Sequence, residues 1–182
     1  MADTLDRLLD NAGQGATGVV WAHNTHIGDA RATDMAAAGM TNLGQLARER
    51  HGDDGVVLVG FACHRGRVTA GRSWGAPAEP MPVPEARDGS AEDLLHAVLG
   101  DGPALLVFPP SYEQPRWLRT SLDHRAIGAV YAAERERWGN YVPSTLGDRY
   151  DALLWFGPTE PLEPLRPEPV GDPEPETAPF GE

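Results

Sequence analysis

The chain has 182 residues, 15 Lys plus Arg against 27 Asp plus Glu, and a formal charge of -12. That length suits one domain with a real core, and that charge, with no tight basic cluster, excludes a nucleic-acid surface. All of the basic residues are arginine, a bias that coding-DNA composition explains as well as carboxylate or phosphate recognition does.

Leu5, Leu8 and Leu9 share one face, so the sequence predicts an amphipathic helix over 3–12. "TGVVWA" (17–22) reads as a strand at 19–22, covered on both faces because its apolar run is unbroken. "DMAAAGM" and "LGQLARERHG" (43–52) read as helical, the second ending at Gly52. "GVVLVGFA" (55–62) and "GRVTAG" (66–71) then read as a hairpin joined through Cys63-His64-Arg65. Residues 74–89 are too proline-rich for a helix or a central strand and read as a loop. Ser90 caps a helix over 90–99 with Asp93 in the capping-box position. Strands are expected at 103–108, 126–131 and 150–156. Strands alternating with helices indicate an α/β fold with a mostly parallel or mixed sheet. Residues 166–182 are proline-rich and acidic and read as a disordered tail beyond a domain at 1–165.

Cys63 is the sole cysteine, so no intramolecular disulfide forms and the expected compartment is the cytoplasm. The acidic N-terminal segment does not resemble a secretion signal, and no apolar run approaches the ~20 residues that span a bilayer.

Chemistry concentrates at the end of the first expected strand, in His23, Asn24 and His26, with Asp29 and Arg31 close behind. Loops beyond strand ends are the usual ligand positions in α/β sheets. Imidazole suits acid–base work near neutral pH, with Asp29 or a backbone carbonyl to fix its tautomer. Asn24 can donate to a developing oxyanion, and Arg31 offers a planar cationic fork. Two histidines capping a sheet by hydrogen bonding is the structural alternative. A metal site of His23, His26 and Asp29 is another, without the helical spacing of zinc proteases. His64, His96 and His124 are isolated, His96 on a helix surface or in its packing and the other two in loops. Cys63 reads as a small buried hydrophobe. Arg65, Trp74, Tyr112 and Tyr141 are cleft candidates, with Trp74 in the proline-rich segment that could wall a large ligand. No Walker motif occurs, and the bare G-x-S-x-G spacing at 71–75 and G-x-G-x-x-G spacing at 13–18 lack the strand-to-helix turn that a serine elbow or a dinucleotide fingerprint needs.

The order of "WAHNTHIGDAR" (21–31), "NLGQLARERHGDDGVVLVGFACHRGRVTA" (42–70), "HRAIGAVYAAERERWGNYVPSTLGDRYDALLWF" (124–156) and "TEPLEPL" (159–165) resembles the erythromycin esterase family. The resemblance implies a three-layer α/β/α fold, inactivation of macrolide antibiotics by ester hydrolysis, and a mechanism using no metal or cofactor in which a histidine activates water. His23 and His26 match the family's second histidine pair, which assists catalysis or substrate placement. The family's base lies in an earlier Gly-Glu-x-x-His-Gly element that this sequence lacks. The chain therefore resembles the C-terminal half, a partial version of the fold. The expected partners are a small-molecule ester and an N-terminal-half chain or a second copy, and the alternative activity is macrolide binding without turnover.

Overall fold

The computed structural model describes residues 1–162, so the expected tail at 166–182 lies outside the described residues. Helix α1 (Ala2–Ala12) leads into an extended segment, followed by the single-turn helix α2 (Asn24–Ile27) and helix α3 (Leu43–His51). Strand β1 (Val59–Ala70) and strand β2 (Glu79–Val83) precede helix α4 (Ala91–Leu99) and strand β3 (Ala104–Val107). Strand β4 (Ser121–Arg125), helix α5 (Glu136–Gly139), strand β5 (Tyr141–Thr145), helix α6 (Leu146–Arg149) and strand β6 (Ala152–Thr159) complete the described chain.

The main sheet runs β2-β1-β6-β3, with β1 parallel to β6 and the other pairs antiparallel, and β4 pairs with β5 in a separate ribbon. The fold is thus α/β with a mixed sheet. Ala62, Leu153 and Trp155 point to one face, where Ala91 and Leu95 of α4 and the side chains of Leu118, Leu146 and Tyr150 bury them. Cross-strand register places Phe61, Leu154, Phe156, Leu105 and Val107 on the opposite face, and all but the half-buried Leu154 are exposed.

Four sequence expectations are corrected. Residues 19–22 form no strand: Trp21 is 84% exposed, because an apolar run becomes a strand only where a neighbour supplies a ladder and a cover. Cys63-His64-Arg65 is no turn but the middle of β1, which runs straight through and pairs with β6 from Val59 to Gly66. Its antiparallel partner is β2, inside the segment read as a loop. Pro80 and Pro82 are tolerated there because β2 is an edge strand, while Met81 and Val83 between them are buried. Finally, the strand near 126–131 is displaced to 121–125. Only Val130 bridges to Gly71, and Tyr131 anchors the stretch by burying its ring.

Other elements follow their local chemistry. Ser90 Oγ accepts from the Asp93 N–H at 3.3 Å, and Asp93 Oδ2 accepts from the Gly89 N–H at 2.9 Å, so α4 is capped in both directions. Asn42 Oδ1 caps α3 by accepting from the Gln45 N–H at 3.0 Å, while its Nδ2 donates to the carbonyls of Thr25 and Gly28. That contact is possible because α3 presents Gly44 to α2, where a Cβ would collide with the Ile27 carbonyl.

Gly44→Ala is expected to separate α3 from α2 and cost about 1–3 kcal/mol, the usual range for overpacking. Denaturant unfolding of the two proteins checks this, and an unchanged midpoint would contradict the close approach.

Candidate functional site

The sheet opens at the first half of β1, where β2 has not yet joined and one edge of the strand is free. Asn24 occupies that edge. Its Nδ2 donates to the Phe61 carbonyl at 2.6 Å and its Oδ1 accepts from the Phe61 N–H at 3.1 Å, so one side chain reproduces a pair of ladder bonds. This use of the amide leaves Asn24 serving the backbone, a different duty from the oxyanion donor the sequence suggested.

His23 is the N-cap of α2. Its Nδ1 accepts from the Thr25 N–H at 3.3 Å and lies 2.9 Å from Thr25 Oγ1, and its Nε2 lies 2.5 Å from the Ile127 carbonyl. A carbonyl can only accept, so Nε2 carries the proton and Nδ1 is the bare nitrogen. Burial pushes the His23 pKa down, against the opposing pull of the Ile127 carbonyl, with His26 and Arg149 adding to the decrease. The ring is neutral, its tautomer is fixed, and both nitrogens are engaged. His26 lies edge-on to His23 with ring centroids 6.4 Å apart, is half-buried, and makes no side-chain hydrogen bond among the described residues.

His23 and Asn24 line a cavity of about 300 Å³. Its walls include Trp21, Phe61 and Phe156, and its polar lining comes from Glu92 and Arg125. Glu92 and His124, in contact at 2.5 Å between Oε1 and Nδ1, are both fully buried. Burial alone would raise the Glu92 carboxyl, but His124 and the Arg125 N–H hold it below the usual carboxylate range. Arg125 donates from Nε to Glu136 at 2.5 Å and from its terminal nitrogens to the carbonyls of Cys63, His64 and Pro84. Cys63 also lines the cavity, and burial raises its thiol pKa, so it stays protonated.

The other candidate residues lie elsewhere. Asp29 and Arg31 line a second cavity of about 690 Å³ together with Arg48 and Asp151. Asp29 is buried and bound to Arg31 at 2.6 Å and Arg48 at 3.5 Å, so it orients neither histidine. Among the described residues, no three His, Cys, Asp or Glu side chains are grouped to hold a metal, and the set His23, His26 and Asp29 is not assembled. Arg65 pairs with Asp101 at 2.8 Å. Trp74 and Tyr112 are exposed and line neither cavity, and the Tyr141 hydroxyl accepts from the Arg87 N–H at 2.9 Å.

Of the buried Glu92–His124 pair, His124 was read from sequence as a loop residue and Glu92 was not singled out. His124 sits in β4 rather than a loop, on the same side of the strand as Leu122. Glu92 shares its helix face with Leu95 and Leu99, and that spacing marks a carboxylate facing the core.

A mixed-sheet α/β domain with a histidine pair beside the open edge of a parallel strand defines the class of this site. The erythromycin esterase family model matches residues 1–159, and the chain belongs to that family. Among solved structures it is similar to a succinoglycan biosynthesis protein (19% identity, TM-score 0.58), covering 78% of this chain and 33% of that one. A Bacillus cereus protein matches at 16% identity and TM-score 0.60, covering 76% and 33%. A histidine mutant of the erythromycin esterase EreC in its open conformation matches at 16% identity and TM-score 0.56, covering 85% and 35%. The match therefore spans about a third of each solved chain, and it establishes a shared fold.

Asn24→Ala leaves the Phe61 N–H and C=O without their partner and is expected to cost about 1–2 kcal/mol, with faster amide exchange across 23–28. Exchange at wild-type rates would remove the clamp.

The His23 pKa lies below the ordinary 6.5, so the unfolded chain takes up a proton first as pH falls. His23 therefore makes stability decline below 6.5, until the folded ring titrates as well. His23→Asn should flatten that part of a stability-against-pH curve, and an unchanged slope would show that the ring is already charged or solvated.

Proposed function

We propose that this chain is the assisting part of a carboxylic ester hydrolase, acting on a macrolactone or similar ester by histidine-assisted attack of water. Membership of the erythromycin esterase family supports the reaction class. The observation that carries the division of labour is the engagement of both His23 nitrogens. A ring held neutral, with its proton on a carbonyl and its lone pair on a backbone N–H, positions α2 and is a poor proton acceptor. His26, without a partner among the described residues, is the member of the pair available to substrate or water.

The base that removes the water proton then comes from a second polypeptide segment bearing the Gly-Glu-x-x-His-Gly element. In this mechanism that base takes the proton as water attacks the ester carbonyl. The His26 imidazole donates to the developing oxyanion or the leaving alkoxide, and the tetrahedral intermediate collapses to carboxylate and alcohol. The exposed face of Phe61, Phe156, Leu105 and Val107 supports the same reading, because apolar area of this kind is stabilised by a covering layer. No helix among the described residues is long and apolar enough to cross a membrane.

A second reading follows from the same engaged ring: the cavity binds its ligand without turning it over. One experiment separates the two. The chain is mixed with a polypeptide carrying the missing element and supplied with a chromogenic carboxylic ester and a macrolide, whose ring opening adds the mass of water. The expected result is no hydrolysis by the chain alone, hydrolysis by the mixture, and a loss of about 10²-fold or more with His26→Ala. A mixture that associates yet hydrolyses nothing overturns the hydrolase reading, and saturable macrolide binding in that case supports the second.

A further inference from the structure

The main sheet ends in two strands whose outer edges differ. β2 is closed: Pro80 and Pro82 occupy the positions whose N–H groups would face away from β1, so that edge offers no donor there. β3 is open. Phe108 donates its N–H to the Asp151 carbonyl at 2.8 Å, in step with the β3–β6 register, so Ala104 and Leu106 turn their main-chain groups toward β6. The N–H and C=O groups of Leu105 and Val107 then point off the sheet, with no partner among the described residues.

Exposed edges are commonly blunted by lysine, proline, a bulge or a covering segment. Ala104–Val107 contains neither lysine nor proline, its register with β6 is unbroken, and Leu105 and Val107 are 61% and 72% exposed.

We propose that β3 is the association edge of a homodimer, pairing antiparallel with β3 of a second copy about a twofold axis at Leu106. In that register Leu105 of one copy stands opposite Val107 of the other. Both residues turn their main-chain groups outward, so each such pair exchanges both of its hydrogen bonds. The side chains agree: Leu105 meets Val107 on the exposed face, and Leu106 meets its own counterpart on the face that packs against the core.

A second copy is the occupant this edge specifies. Twofold pairing brings identical segments together, which a chain of charge -12 tolerates only where the segment has no carboxylate, and residues 102–110 contain no charged side chain. The next outward positions are Pro103 and Pro109, which fall opposite each other across the axis and end the ladder on both sides. With Pro80 and Pro82 blocking the β2 edge, the joined sheet stops at two copies, a closed assembly. So short a ladder gives a concentration-dependent dimer, with an expected Kd of about 10–100 μM.

Sedimentation velocity of the full chain between about 1 μM and about 1 mM, with amide hydrogen exchange at both limits, tests this. The expected result is a shift from monomer to dimer, with exchange at Leu105 and Val107 slowed about fivefold or more at the high limit and Leu106, already bonded to β6, unchanged by concentration. Val107→Pro removes an outward donor, and Leu105→Lys places a charge on the exposed face. Each should weaken the dimer about tenfold or more, and the exposed lysine keeps the test open should the proline variant fail to fold. A chain still monomeric at the high limit, a dimer in which Leu105 and Val107 exchange at monomer rates, or an undiminished dimer in folded Leu105→Lys would each overturn the proposal. No ester and no second segment is present, so the outcome is independent of the hydrolase reading.

Discussion

The pairing of Asn24 with the backbone of Phe61 is the constraint on which the site depends. A helix of four residues has no stability of its own, because nucleation costs more than one turn returns. α2 exists because its ends and flank are fastened to longer elements. Asn24 fixes it to β1, His23 fixes its start to the Ile127 carbonyl, and Asn42 holds the Thr25 and Gly28 carbonyls from the α3 side. Arg149 lies beneath, donating to Ser144 and toward the Asn24 carbonyl. The position of His26 is a consequence of those fastenings, since its own side chain contributes none among the described residues.

An acidic chain that buries several arginines must give each of them partners, and the pattern of those partners separates structural charge from available charge. Arg48 joins Asp29, Asp151 and the Asp148 carbonyl, while Asp151 in turn accepts from the Leu58 N–H at 2.6 Å just before β1 begins. Arg125 joins Glu136 and three carbonyls around β1 and the segment after β2. Planar guanidinium groups with several fixed donors suit this bridging, and lysine, with one point charge, would not reproduce it. Beside Arg125, Glu92 differs because its partners occupy only one of two oxygens.

Much of this was legible in residue order. The helices at 3–12, 43–52 and 90–99 follow from apolar spacing and caps, and "WAHNTH" marks both the family and the cavity wall. The strand readings failed for reasons of tertiary context. "EPMPV" looks like a loop because prolines remove donors, yet at a sheet edge those donors would have faced outward. "GFACHRGRV" looks broken at its polar centre, yet His64 in that centre is buried and stacks on His96 of α4 at 3.8 Å. Glu92 was within reach of the helical repeat that places it with Leu95. The partners of His23 were not, because Ile127 is 104 residues away and contributes a carbonyl that no side-chain pattern reveals.

The segment "VVWA" shows how an apolar run and an open sheet bear on one another. Its pattern is that of a doubly covered strand, yet Val19 and Trp21 stand in solvent while the adjacent edge of β1 is closed by a single amide side chain. On the same side, the face carrying Phe61 and Phe156 lacks the cover that α4 gives to the other face. A strand needs a ladder and a layer at once, and neither is available to residues 19–22 from the described chain. Trp21 instead makes its aromatic contact with Phe61 at the cavity mouth. The same residues that fail to form a strand therefore wall the cavity, so any polypeptide that covered this face would also reshape the cavity that His23 and Glu92 line.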